Sequence, residues 1–219
     1  MNKSFPYTLS RQKVFDLDIL LPEPEEVKEI FENHQAAGIE KPFPFWTRVW
    51  PSAMAMSIFI DNNAHYVAGK DVLELGAGLA IPSFIASRYA EHVLTSDHID
   101  EAIWLLRKNI SELKISNIRA EQMDWNELPE DIHADTVIMS DVNYSPESFH
   151  PLNKVIKRYL NAGADIILST PGRIAAKSFL DFLVPYIAVR ESMDISGTEI
   201  LILVLKKNRH LTAGSKLSL

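Results

Sequence analysis

The sequence contains no cysteine among its 219 residues. Disulfide bonds, cysteine-ligated metals and a thiol nucleophile are therefore excluded. Long apolar runs are also missing, since the longest, SAMAMSIFI and ILILVL, fall far short of the roughly 20 residues that a membrane span needs. The opening stretch, MNKSFPYTLSRQKVF, lacks the apolar core of a signal peptide, so a cytoplasmic location is expected.

Basic residues are outnumbered by acidic ones. The chain has 22 Lys and Arg against 29 Asp and Glu, a net charge of −7, and it has no basic run. Such a chain is a poor electrostatic match for nucleic acid or for an anionic membrane. The seven histidines show no metal-ligand spacing, so no metal is predicted.

The first 45 residues differ in character from the rest of the chain. They contain LPEPEEVKEIFENHQAAG, in which Val27, Ile30 and Phe31 recur at helical spacing and Gly38 follows as a stop signal. We predict an N-terminal arm with one helix over residues 1–45, packed on one domain over residues 46–219.

Helical and strand-like patterns alternate through that domain. Helices are predicted over 53–60, 81–89, 100–113 and 152–160, and strands over 71–75, 92–96, 118–122, 136–140 and 165–169. This alternation indicates an α/β fold with a mostly parallel sheet and helices on both faces. The final YIAVRESMDISGTEILILVLKK reads as two strands and a turn, which predicts an antiparallel C-terminal hairpin.

A glycine-rich turn, VLELGAGLAIPSF, follows the strand over 71–75. Ligands of open parallel sheets bind at the carboxyl ends of the strands, where this turn lies. The dinucleotide-binding pattern requires a third glycine where this chain has Ile81. Glu74 would repel a pyrophosphate and would suit the cationic S-adenosylmethionine, whose methionine portion Gly76 and Gly78 allow the backbone to approach.

Asp97 ends the next strand, HVLTSD, about 20 residues after Gly76. A carboxylate at that position accepts hydrogen bonds from the ribose hydroxyls of either ligand class. Asp97 therefore predicts an adenosine ligand, and Glu74 selects S-adenosylmethionine over a nicotinamide cofactor.

Four segments together resemble the class I, seven-strand S-adenosylmethionine-dependent methyltransferases, and specifically their protein lysine methyltransferases. The glycine-rich turn resembles the first motif of that class, Glu-Leu-Gly-x-Gly-x-Gly. FWTRVWPSAMAMSIFI, MDWNEL and DTVIMSDVNYSPESFHPL resemble the segment before that motif, the segment after the third strand and the motif after the fourth. The resemblance covers residues 45 to about 206 and implies a Rossmann-like, seven-stranded sheet.

The resemblance also implies the roles of particular residues. Trp50 is expected beside the methionine portion of the cofactor, and Asp141 and Tyr144 beside the methyl-acceptor channel as catalytic residues. The expected cofactor-binding residues, of which 123–125 lie near the adenine, are Trp50, Glu74, Gly76, Ala77, Gly78, Asp97, His98, Met123, Asp124, Trp125 and Ser140.

One position departs from the family pattern, because Ala80 replaces the third glycine of the first motif. We expect cofactor binding to survive provided that the backbone there is not left-handed, and to weaken if φ is positive.

Simpler structural interpretations stand beside these roles. Trp46 and Trp50 are also explained as core aromatics, and His98 as an exposed loop residue. Asp124 and Asp141 are also explained as turn residues at strand ends.

The resemblance implies transfer of a methyl group to a lysine amine of a protein substrate. Asp141 would orient the amine and Tyr144 would line the channel. Three alternatives stay open: a small-molecule acceptor on the same fold, a nicotinamide-dependent oxidoreductase, and a non-catalytic cofactor-binding module.

Overall fold

The computed structural model describes residues 5–172 and 176–207. Nine strands and six helices occur in this part of the chain, together with short 3-10 turns. Two of the strands form a separate hairpin, and the other seven form a single sheet.

The N-terminal arm contains strands β1 (Leu9–Val14) and β2 (Leu17–Pro22) and helix α1 (Pro24–Ala36). The helix lies where the apolar spacing predicts it, and Gly38 beyond its end adopts a φ of 70°. The hairpin is absent from the sequence prediction because its turn has Phe15 and Asp16 in place of the Asn-Gly or Asp-Gly signal. Phe15 nevertheless adopts a positive φ of 56°.

The arm is attached to the rest of the chain by specific polar contacts. The Leu20 N–H donates to Asn109 Oδ1 at 2.8 Å, and Asn109 Nδ2 donates to the Leu20 carbonyl at 2.9 Å. Both groups are buried, so each bond satisfies a polar atom that would be costly to leave unpaired. Arg11 adds an ion pair with Glu112.

Helix α2 (Pro51–Asn62) follows the arm and precedes the sheet in the chain. The parallel strands are β3 (Asp71–Leu75), β4 (His92–Asp97), β5 (Ile118–Gln122), β6 (Thr136–Ser140) and β7 (Asp165–Pro171). The helices between them and after them are α3 (Ile81–Ala86), α4 (Asp100–Leu113), α5 (Phe149–Ala162) and α6 (Lys177–Leu183).

The chain closes with strands β8 (Ile187–Ile195) and β9 (Thr198–Leu205). The order across the sheet is β5-β4-β3-β6-β7-β9-β8, and β9 pairs antiparallel with both β7 and β8. The predicted Rossmann-like fold, with seven strands, a mostly parallel sheet and an antiparallel C-terminal hairpin, is confirmed.

Apolar side chains from the two faces of the sheet form two core clusters. One cluster joins strand residues such as Val72 and Ile138 to α2, α3 and α4. The other joins Leu73 and Met139 to α5 and α6. The chain runs from β3 through β4 to β5 on one side and then crosses to β6 on the other side of β3. The order of the strands therefore reverses next to β3, and the crevice at this switch point lies at the carboxyl ends of the strands.

Candidate active site

The loop over residues 76–80 turns the chain from β3 into α3. Gly76 and Gly78 have φ values of 66° and 54°, which favour glycine. A Cβ on Gly76 would lie 2.9 Å from the Trp125 ring and 3.2 Å from Val142. A Cβ on Gly78 would lie 3.4 Å from the Trp46 carbonyl oxygen. Glycine is therefore required at residue 76 by both backbone conformation and space.

Ala80 ends this loop with a φ of 53° and a ψ of 34°, in the left-handed region. The expectation that cofactor binding survives was conditional on a backbone that is not left-handed, and that condition is not met. The left-handed conformation costs a residue with a Cβ roughly 1–2 kcal/mol relative to the right-handed one. The side chain is buried in the core cluster beside α3, and this burial offsets part of the cost.

Glu74 does not face the crevice, which corrects the expectation from the sequence. Its side chain is 1% exposed, and its Oε2 accepts hydrogen bonds from Ser83 N–H at 3.1 Å and Ser83 Oγ–H at 2.5 Å. Ser83 is the third residue of α3, so Glu74 caps the start of that helix from the adjoining strand. Cofactor contact by Glu74 stays a prediction.

Burial raises the pKa of the Glu74 carboxyl from its ordinary 4.5 to about 8, and the hydrogen bonds from Ser83 act in the opposite direction. A carboxyl with this pKa is mostly protonated at neutral pH. Glu74 therefore carries little negative charge that would repel a pyrophosphate in this structure.

Asp97 joins the end of β4 to the glycine loop. Its Oδ2 accepts the Gly78 N–H at 2.9 Å, and its Oδ1 accepts the Ile99 N–H at 3.1 Å. The side chain is 6% exposed and lines the crevice. His98 lies beside it, with Nδ1 3.4 Å from Asp97 Oδ1 and its own side chain half exposed.

A cavity of about 790 Å³ lies above this edge of the sheet. Most of the site residues predicted from the sequence line it: Trp50, Gly76, Ala77, Gly78, Asp97, His98, Trp125, Ser140, Asp141 and Tyr144. Glu74, Met123 and Asp124 are not among the lining residues in the described part of the chain.

The segment after β5 divides between the cavity and the protein interior. The Trp125 ring borders the cavity, while Met123 packs beside the core cluster under α5 and donates its N–H to the Asp97 carbonyl. Asp124 Oδ1 accepts hydrogen bonds from Asn126 N–H and Nδ2, which matches the alternative interpretation as a turn residue. Cofactor contact by Met123 and Asp124 stays a prediction.

The segment after β6 forms the other end of the cavity. Asp141 adopts a φ of 57° and donates its N–H to the Ser169 carbonyl at 2.8 Å, and Ser140 Oγ beside it is buried without a hydrogen-bond partner. Aspartate tolerates the left-handed region better than most residues. Burial is the main cause that raises the pKa of the Tyr144 hydroxyl, with smaller contributions from the charges of Asp97 and Asp141.

The sequence predicts few of the residues that form the roof of the cavity. This roof is formed by the arm and the segment before α2, with apolar and aromatic residues Tyr7, Val27, Ile30, Phe31, Phe43, Phe45 and Trp46. The dense aromatic stretch FPFW over residues 43–46 was the available signal. Trp50 Nε1 donates to the Phe45 carbonyl at 2.8 Å and holds this stretch in place.

Residues 5–7, which we call the N-terminal strap, lead from a contact on α4 to the wall of the cavity. The Phe5 ring stacks on Trp104 of α4, with centroids 4.4 Å apart, and meets Trp46 edge-on at 6.2 Å. Pro6 and Tyr7 then line the cavity directly.

No group of three or more histidine, aspartate or glutamate side chains in residues 5–172 and 176–207 is arranged to hold a metal ion. Over the same residues, no helix has both the length and the apolarity needed to cross a membrane.

The sequence model of the lysine methyltransferase family matches residues 45–184, and the chain belongs to this family. Membership confirms the class recognised from the four sequence segments and, with it, S-adenosylmethionine as the cofactor. The matched range begins just before Trp46 and ends after α6, so it contains both ends of the cavity.

Curated relatives include enzymes named for different acceptor residues. The human histone-arginine methyltransferase METTL23 is 24% identical over 48% of this chain and 58% of its own length. The human electron transfer flavoprotein beta subunit lysine methyltransferase is 25% identical over 59% of this chain and 50% of its own length. Bovine protein-lysine methyltransferase METTL21E is 28% identical over 52% of this chain and 43% of its own length. The chain thus spans about half the length of these relatives.

Solved structures share the fold at low identity. Trm5b from Pyrococcus abyssi matches 91% of this chain and 56% of its own, with a TM-score of 0.61 and 16% identity. TrmN from Thermus thermophilus matches 84% of this chain and 67% of its own, also with a TM-score of 0.61, at 17% identity.

The residues present fit S-adenosylmethionine. The Gly76 backbone lies too close to the Trp125 ring for a Cβ, which brings two cavity-lining residues together, and Asp97 presents a carboxylate at the ribose position of such folds. The buried Ser140 Oγ still requires a partner at the cavity edge, and the volume is that of an ordinary small-molecule site.

Proposed function

We propose that this chain is an S-adenosylmethionine-dependent methyltransferase that N-methylates a lysine side chain of a protein substrate. The observation that carries the proposal is a single cavity lined by both sets of residues that the sequence predicts, Gly76, Gly78 and Asp97 together with Asp141 and Tyr144. We assign the first set to the cofactor end of the cavity and the second to its acceptor end.

At the cofactor end, the chain supplies binding and alignment. Asp97 would accept hydrogen bonds from ribose hydroxyls while it continues to hold the Gly78 N–H, and Trp125 would cover the adenine side. The cofactor supplies a methyl carbon already activated by its sulfonium. The protein therefore contributes orientation and electrostatics more than covalent chemistry.

At the acceptor end, Asp141 would hold the substrate amine. A lysine amine has an ordinary pKa near 10.4, so it must lose a proton before it acts as a nucleophile. An Asp141 carboxylate oxygen accepts a hydrogen bond from the amine and orients its lone pair, and the released proton goes to solvent. The Tyr144 ring stabilises the positive charge that develops on the nitrogen.

Lysine fits this end better than arginine, although relatives named for both residues match the chain. The acidic side chains among the described lining residues are Asp97, Glu101 and Asp141, and Asp97 already accepts two backbone N–H groups. A guanidinium has five N–H donors and an ammonium has three, so an amine needs fewer acceptors at this end of the cavity.

The test is incubation of the purified protein with methyl-labelled S-adenosylmethionine and a cell extract. Label is counted separately in protein, nucleic acid and small molecules, and labelled protein is hydrolysed to separate methyl-lysine from methyl-arginine. We expect methyl-lysine in a discrete protein band, lost with Asp97→Ala and reduced at least tenfold with Asp141→Asn. Label confined to small molecules or nucleic acid would reject the protein acceptor, and label in methyl-arginine would reject lysine.

A further inference from the structure

Four aromatic rings form a continuous row across the roof of the cavity, which we call the aromatic row. Phe31 of α1 contacts Phe43, with ring centroids 5.2 Å apart, and Phe43 contacts Phe45 at 5.3 Å. Phe45 then reaches Tyr144 at 6.4 Å. The row therefore extends from the arm to the acceptor end, across more than 100 residues of sequence.

The acceptor end of the row is open to solvent. Phe45 is 51% exposed and Tyr144 is 54% exposed, and both line the cavity. Single exposed aromatic rings are common on protein surfaces. Two neighbouring exposed rings that line a cavity instead indicate a binding surface. Tyr144 is already placed beside the acceptor, whereas no role is yet assigned to Phe45.

The chemistry of the row favours a cation. The faces of aromatic rings attract positive charge. Phe43 already shows this preference, because the Arg48 guanidinium lies over its ring, 4.7 Å from the centroid. The Arg48 guanidinium already covers the Phe43 ring. The exposed rings of Phe45 and Tyr144 are therefore the part of the row that is available to a cation from a substrate.

Charged residues of both signs lie near the row. Helix α1, which supplies Phe31, contains Glu25, Glu26, Glu29 and Glu32 against one lysine, Lys28. His34, Lys41 and Arg48 line the cavity itself. The charge near the row is therefore mixed, and the exposed rings, not a surplus of carboxylates, are the feature that favours a cation.

We propose that the aromatic row is the binding surface for the methyl acceptor, with the alkyl chain and ammonium of the target lysine against Phe45 and Tyr144. The proposal rests on the proposed function and deepens it. It makes Phe45 a residue that determines acceptor recognition, and it gives the N-terminal arm a part in choosing the substrate.

The contribution of the Phe45 ring to acceptor binding can be tested separately from the contribution of the Phe45 main chain. The hydrogen bond from Trp50 Nε1 ends on the Phe45 carbonyl, so it is retained when the side chain is truncated. Phe45→Ala removes the ring, and Phe45→Tyr keeps it. Val184→Ala, an exposed apolar residue in the turn after α6, is the matched control.

The wild-type protein and these variants are incubated with methyl-labelled S-adenosylmethionine and the extract fraction that contains the labelled protein, at several dilutions. Initial rates at low acceptor concentration report kcat/KM. Titration with S-adenosylhomocysteine, followed by tryptophan fluorescence, reports cofactor affinity without any turnover. We expect Phe45→Ala to lower kcat/KM by about tenfold or more, mainly through KM. Its cofactor affinity, and both properties of Val184→Ala, should stay within about twofold of wild type, and Phe45→Tyr, which keeps the ring, should recover most of the kcat/KM that Phe45→Ala loses.

The outcomes separate this inference from the function on which it rests. Equal labelling by Phe45→Ala and wild type would overturn the role of the row and leave the methyltransferase proposal intact. A loss of S-adenosylhomocysteine affinity in Phe45→Ala would also overturn it, by assigning the ring to the cofactor. Absence of protein labelling by the wild type would reject the proposed function itself, and the inference with it.

Discussion

Asp97 holds Gly78 through a hydrogen bond of 2.9 Å from the glycine N–H to the aspartate Oδ2. The end of β4 thereby fixes the loop that follows β3. The same carboxylate faces the cavity, so a single side chain shapes the loop and presents an acceptor to a ligand. Loop conformation and cofactor affinity are consequently coupled through this residue.

Replacement of Asp97 should lower both the stability of the loop and the affinity for the cofactor. We expect Asp97→Ala to raise the dissociation constant of S-adenosylhomocysteine at least tenfold and to lower the free energy of unfolding by about 2 kcal/mol, since hydrogen bonds to a charged group contribute about 1.5–3 kcal/mol each. Asp97→Asn keeps one carbonyl oxygen and should lie between wild type and Ala. Calorimetric titration and urea unfolding measure the two quantities, and wild-type affinity in a folded Asp97→Ala protein would contradict the assignment.

Gly76→Ala should destabilise the protein and abolish cofactor binding. The added Cβ would meet the Trp125 ring at 2.9 Å and would also adopt a positive φ of 66°. Gly69→Ala is the matched control, because Gly69 has a φ of 65° and nothing within 4 Å of the added Cβ. Backbone strain of about 1 kcal/mol is common to both variants, and crowding should cost Gly76→Ala roughly 1–3 kcal/mol more.

Urea unfolding of the two alanine variants measures that difference. Equal losses of stability would mean that the Trp125 ring moves away without cost. Such a result would remove the argument that residue 76 must be glycine for reasons of space.

Ala80→Gly should change little, although Ala80 is left-handed. Glycine relieves roughly 1–2 kcal/mol of backbone strain. It also loses about 0.8 kcal/mol of buried methyl group and about 0.4–1 kcal/mol through the entropy of the unfolded chain. These contributions nearly cancel, so the free energy of unfolding should stay within about 1 kcal/mol of wild type.

Cofactor affinity in Ala80→Gly tests the earlier expectation that a positive φ weakens binding. The left-handed conformation of Ala80 belongs to the folded loop, so its strain is borne on folding, and we expect a dissociation constant within about threefold of wild type. A much tighter glycine variant would show that Ala80 reduces affinity. Ala80→Val should destabilise strongly, because a β-branched residue disfavours this conformation.

The buried Glu74 should make stability depend on pH. Its pKa of about 8 in the folded chain lies above the ordinary 4.5, so between these values the folded chain holds a proton that the unfolded chain has released. The free energy of unfolding should therefore fall as pH rises through this window, by up to about 1.4 kcal/mol per pH unit. Glu74→Gln keeps an oxygen for Ser83 without titrating, and its stability advantage should grow towards pH 8.

Urea unfolding at intervals from pH 5 to pH 8 provides the measurement. Glu29→Gln, at an exposed position on α1, controls for a change of one carboxyl to an amide. Parallel stability profiles for wild type and Glu74→Gln would contradict the raised pKa.

The elements that the sequence predicted best are those whose pattern is local. The bounds of β3, α4, β5 and β6 agree with prediction, because apolar runs and an amphipathic repeat mark them directly. The hairpin β1–β2 lacked such a mark at Phe15, and its strands are stabilised by docking on α4 through Asn109. Tertiary contacts of this kind leave no periodic signal in the chain.

The candidate site was also predicted only in part. Residues on the turn after each strand were found because the topology brings strand ends together. The orientation of the Glu74 side chain could not be predicted. Strand β3 is buried on both faces, so its sequence has no alternation of apolar and polar residues that would show which face Glu74 occupies. The aromatic row was missed because Phe31 and Tyr144 meet it from segments far apart in sequence.

The N-terminal strap should slow cofactor release. Phe5→Ala removes the stack on Trp104 while Pro6 and Tyr7 stay in the chain, so the strap loses its attachment beside the cavity. An aromatic pair contributes about 0.5–1.5 kcal/mol beyond its burial, which predicts dissociation of S-adenosylhomocysteine about three- to tenfold faster with a nearly unchanged association rate. Stopped-flow tryptophan fluorescence measures both rates. Phe182→Ala, which loses a ring contact to Tyr186 on the other face of the sheet, should match wild type, and equal acceleration in both variants would indicate general destabilisation instead of a strap.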